Sequence, residues 1–132
     1  VGLTGSNLTV NFEPNTVERN GTAASQGRFS SAGGLAVLAG GTSVVNTTVT
    51  ESTFDRNAGT DIQATSDADD GNAEFRLNMT GNTSNGLYLL EELQTAPGVS
   101  TFTLFDGGGN SPAQTTTGPL TSSATVLDIT FL

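Results

Sequence analysis

At 132 residues the chain has the length of one domain, and 13 acidic residues against four Arg and no Lys leave a net charge of −9. Such a surface repels phosphate, which speaks against nucleic acid and anionic lipid as partners. The absence of Cys and His excludes disulfide scaffolds, zinc sites and Ser–His or Cys–His nucleophiles.

Helix signals are sparse. Gly, Asn, Ser and Thr recur every few residues with β-branched residues between them, which favours short strands. In chain order the expected strands are Asn7–Phe12, Leu35–Leu38, Ser43–Val49, Asp61–Ala64, Glu74–Met79, Leu87–Leu90, Thr101–Phe105 and Thr125–Leu132. Turn clusters separate them: Asn20-Gly21, Gly33-Gly34, Gly40-Gly41, Asp70-Gly71, Asn85-Gly86 and the run 106–110. The segment LYLLEELQ (87–94) is ambiguous, since Leu87, Leu90 and Leu93 also fit helical spacing. No apolar run approaches the ~18 residues of a membrane span. The opening VGLTGSNLTV has neither the basic nor the apolar region of a signal peptide.

Asn15, Asn57 and Asn82 end the related phrases FEPN, FDRN and MTGN, and Asn110 closes FDGGGN. Their separations are 42, 25 and 28 residues. Short strands between Gly and Asn corners, repeating every ~20–30 residues, suggest a solenoid. In that reading Phe12 and Phe54 stack inward on successive coils. Asn15, Asn57 and Asn82 would bond the backbone of neighbouring coils at a corner. The chain would form about five coils.

The phrases Phe12-x-x-Asn15 and Phe54-x-x-Asn57-Ala58, with Gly33-Gly34-Leu35-Ala36 between them, resemble the repeats of polymorphic outer-membrane proteins. More broadly they are similar to bacterial right-handed parallel β-helix proteins such as autotransporter passengers. The similarity spans about residues 7–110. Met79 replaces Phe in the third copy, and the first interval is too long for one coil. The resemblance implies a secreted or surface-exposed solenoid used for adhesion or display. It supplies no binding residue.

Candidate chemistry is thin. Asp67, Asp69, Asp70 and Glu74 in SDADDGNAE form a candidate calcium site, without the spacing of an EF-hand. Otherwise no cofactor is expected. Glu74 and Arg76 share a strand face and read as a surface ion pair. Five sequons begin at Asn7, Asn20, Asn46, Asn78 and Asn82 and are candidate glycosylation sites. Threonine pairs such as Thr48/Thr50 and Thr101/Thr103 suit outward strand positions better than an ice-binding array. At the C-terminus Leu127, Ile129 and Phe131 alternate with Asp128 and Thr130, so residues 125–132 form a candidate strand for assembly.

The expectation is a single all-β domain over 1–132, a right-handed parallel β-helix standing alone or within a larger assembly. A β-sandwich is the alternative fold. The expected role is non-enzymatic: an extracellular or cell-surface structural, adhesion or display module that self-assembles into a filament through strand edges. Its expected partners are copies of itself, a larger surface protein or glycans, with no membrane insertion. The alternative function is a polysaccharide-active β-helix enzyme, a lyase or glycosidase.

Overall fold

The computed structural model describes residues 2–20, 32–68, 71–94 and 98–111. Among them are eleven β-strands and no helix. These are β1 (Gly2–Thr4), β2 (Asn7–Phe12), β3 (Thr16–Glu18), β4 (Ala32–Gly40), β5 (Val44–Thr50) and β6 (Thr53–Asp55). There follow β7 (Thr60–Ala68), β8 (Asn72–Thr80), β9 (Thr83–Ser84), β10 (Leu87–Gln94) and β11 (Val99–Asp106). LYLLEELQ is strand throughout as β10, because alternation buries Tyr88, Leu90 and Glu92 together. The expected strand at 125–132 lies outside the described residues.

The strands form three sheets ordered β1-β4-β7-β10, β2-β5-β8-β11 and β3-β6-β9, called here sheets I, II and III. Every ladder is parallel. The chain thus visits sheets I, II and III in turn and comes back one strand further along. This arrangement is compatible with a β-helix and departs from the antiparallel sandwich considered as an alternative. In sheet II, Asn7 pairs with Val44, Val44 with Glu74, and Asn72 with Val99, giving circuits of 37, 30 and 27 residues. A parallel bridge from Thr83 to Ser111 extends sheet III.

Alternation along each strand sends one side chain in two inward, where the ladders line them up in columns. Sheet II contributes Leu8, Val45, Phe75 and Phe102 in one column and Val10, Thr47, Leu77 and Leu104 in the next. Phe75 and Phe102 stack with centroids 5.1 Å apart and planes 5° from parallel. Sheet I aligns Leu35, Ile62 and Tyr88, then Val37, Ala64 and Leu90. Sheet III aligns Val17, Phe54 and Ser84. The core is tightest in the middle circuits: Val45, Phe75, Leu77 and Met79 are inaccessible, while Leu8 and Phe12 are half-buried.

Gly33-Gly34 has a specific task. The β4–β7 register slips between Ala32 and Leu35, a bulge that brings the backbone of β4 hard against the corner leading into β7. A Cβ at Gly33 would collide with the Ala58 backbone, and one at Gly34 with that of Asp61. Only glycine fits there.

Candidate functional site

The corner between sheets II and III is held by a column of small polar residues: Asn15, Ser52, Asn82 and Asn110. Asn15 N donates to Ser52 Oγ (3.2 Å), Ser52 N to Asn82 Oδ1 (3.0 Å) and Asn82 N to Asn110 Oδ1 (3.1 Å). Each side chain thus accepts from the backbone one circuit earlier. Asn82 is fully buried, and its Nδ2 donates to Val49 O (2.7 Å) and Asn110 Oδ1 (2.9 Å). Asn110 Nδ2 reaches Met79 O (3.2 Å). The residue before three of these positions is left-handed: Glu51 at φ 48°, Gly81 at 65° and Gly109 at 71°.

A second column stands at the corner between sheets III and I. Asn57 Oδ1 accepts from Asn20 N (3.1 Å), and Asn85 Oδ1 accepts from Arg56 N (3.0 Å). Asn57 Nδ2 donates to Val17 O (3.0 Å) and Asp61 Oδ1 (2.9 Å). Asp61 is a buried hub: its Oδ2 also accepts from Ser84 Oγ and from Gly86 N (3.0 Å). Beside it, the Tyr88 phenol is pushed up from 10.0 to about 12. Burial is the main cause; the Ser84 hydrogen bond opposes it, and the Asp61 charge adds to it.

The residues expected to form one ladder therefore divide. Asn15 and Asn82 share the sheet II–III corner, whereas Asn57 stacks on Asn20 at the other end of sheet III. The cause is phase. FEPN and FDRN lie 42 residues apart, but the first circuit is 37 residues long, so Phe54 pairs with Val17 and Phe12 with Val49. The rings of Phe12 and Phe54 nonetheless meet across the corner, at 5.9 Å and 21°. Ser52 and Asp61 were not expected at the corners, and Asn20 and Asn85, expected as turn residues, were not expected to bond between circuits. The 30- and 28-residue steps from Ser52 to Asn82 to Asn110 carried the signal, but Ser52 broke the pattern of asparagines.

The acidic cluster is split. Asp67 is buried on β7 in sheet I, and Glu74 lies on β8 in sheet II, where its Oε1 pairs with Arg76 (2.7 Å). Asp69 and Asp70 lie outside the described residues. Among the described residues no group of three or more acids could hold a metal ion. Of the sequon asparagines, Asn7 and Asn20 are exposed, and Asn46 and Asn78 are half-buried on the outward side of sheet II. Asn82 is corrected as a glycan acceptor: its nitrogen is committed inside the corner, with no exposure in the folded chain. The candidate assembly residues Leu127, Ile129 and Phe131 lie outside the described residues.

The outward face of sheet II is a regular four-stranded surface. Register places Asn11, Thr48, Asn78 and Phe105 in one row across the four strands, beside a row of Thr9, Asn46, Arg76 and Thr103. Thr48 and Asn78 are joined by a 3.4 Å hydrogen bond. Asn78 Oδ1 and Thr80 Oγ1 lie occluded on this face with no hydrogen-bond partner. Each such atom costs about 1–3 kcal/mol relative to a paired one. No family model, curated protein or solved structure matches this chain.

Proposed function

We propose that the chain is a right-handed parallel β-helix of about five coils that serves as an extracellular or cell-surface structural module, presenting its outer faces and associating with copies of itself through strand edges. The observation that carries this reading is the uniform parallel register. Each strand pairs with its counterpart one circuit on, so among the described residues β1, β2 and β3 are each paired on one side only. Right-handed crossovers are the overwhelming rule for parallel strands. A strand edge with unpaired N–H and C=O groups templates further pairing. The half-exposed inward side chains Leu8 and Phe12 add apolar area to that end.

The test is assembly. Purified chain viewed by negative-stain electron microscopy and light scattering should form elongated particles of one diameter. Removal of residues 125–132 should shorten or abolish them. Monodisperse monomers over a wide concentration range, or filaments that ignore the truncation, would count against association through edges.

A further inference from the structure

We propose that the outward face of sheet II binds an uncharged, hydroxyl-rich polysaccharide lying across its strands; this goes beyond the structural role above and does not depend on assembly. Charge is the first argument. The chain carries −9 overall, yet along β2, β5, β8 and β11 the outward positions hold one acid and one base, Glu74 and Arg76. These neutralise each other at 2.7 Å. A polyanion gains nothing there beyond a base already paired, and a polycation would be drawn to the acids elsewhere.

The second argument is the arrangement of polar groups. Asn11, Thr48 and Asn78 follow one another across the strands in register, at the ~4.8 Å strand spacing. They set amide and hydroxyl groups in a straight row, in which Asn78 Nδ2 also donates to Thr48 Oγ1 at 3.4 Å. Phe105 ends the row, giving an aromatic surface for the C–H face of a sugar ring. A polymer repeating the same hydroxyls matches a row repeating the same partners. Ice is a poorer match, because Thr48 lies beside Asn78, and Thr101 beside Glu74, leaving no unbroken threonine row.

The experiment is native electrophoresis of the full chain through gels containing hydroxyethylcellulose, mannan or dextran, with polygalacturonate as the charged comparison. Retardation is expected in at least one neutral gel and not in polygalacturonate. Asn78→Ala and Phe105→Ala should each weaken it about tenfold, while Thr16→Ala on sheet III should leave it unchanged. Thr48→Arg, which blocks the row without opening the core, serves as a second variant should Asn78→Ala not fold. No retardation in any neutral gel would overturn the proposal. So would preference for polygalacturonate, or retardation that survives both Thr48→Arg and Phe105→Ala. Because this readout works on a monomer, its failure is distinct from failure to form filaments.

Discussion

Asn82 shows how one side chain can hold a corner. Fully buried, it accepts from Ser52 N and donates to Val49 O, two backbone groups that a tight bend would otherwise leave unpaired. Asn82→Ala removes the amide and leaves both groups buried without a partner. Urea unfolding should show a loss of about 2–4 kcal/mol, whereas Asn7→Ala, at an exposed position, should stay within about 0.5 kcal/mol. Tyr88 offers a second residue-scale readout because it is the chain's single tyrosine. Its folded pKa lies above the ordinary value, so the folded state holds the proton more tightly than the unfolded state. The stability that this contributes is complete below pH 10 and is lost as pH rises from 10 to about 12. Phenolate absorbance should therefore titrate near 12 in the native protein and near 10 in urea. A native titration near 10 would mean that the ring is not buried beside Asp61.

Element by element, the strands follow from alternation and their ends from the corner chemistry. Among the long strands four were legible in the sequence: β2 runs over the expected residues, and β5, β8 and β11 differ from expectation by one or two residues at each end, while β4, β7 and β10 were expected at only about half their length. The three-residue strands β3 and β6 and the two-residue β9 were not legible. Two or three residues cannot display a period of two, and their pairing is dictated by the neighbouring circuits. The bulge in β4 is the element most exposed to mutation. Gly34→Ala places a methyl group into the Asp61 backbone, so β4 must move off β7. The expected cost is at least about 2 kcal/mol, read as a fall in the urea midpoint. Gly108→Ala, whose Cβ would meet nothing within 4 Å, separates the penalty of positive φ from that of collision and should cost less.

On the scale of the whole molecule, stability comes from columns that continue from circuit to circuit, and net charge opposes the association proposed above. At −9, copies repel at low ionic strength, and the Debye length contracts from ~30 Å at 0.01 M salt to ~8 Å at 0.15 M. Particle growth through strand edges should therefore accelerate as salt is raised over that range. Light scattering that falls with added salt would argue for association through ion pairs instead of edges.

The chain on its own determined that the protein is built of strands, that Gly and Asn turn the corners, and that it has no Cys or His side chain to offer. Those properties are local: they follow from residue type, backbone freedom and a period of two. Tertiary structure decided which residues share a column. FEPN and FDRN look alike, yet a first circuit of 37 residues instead of 42 places Asn57 over Asn20 and leaves Asn15 to Ser52 and Asn82. Register is set by the packing of entire circuits, and a phrase of four residues carries no record of the length of chain that separates it from its neighbour in space.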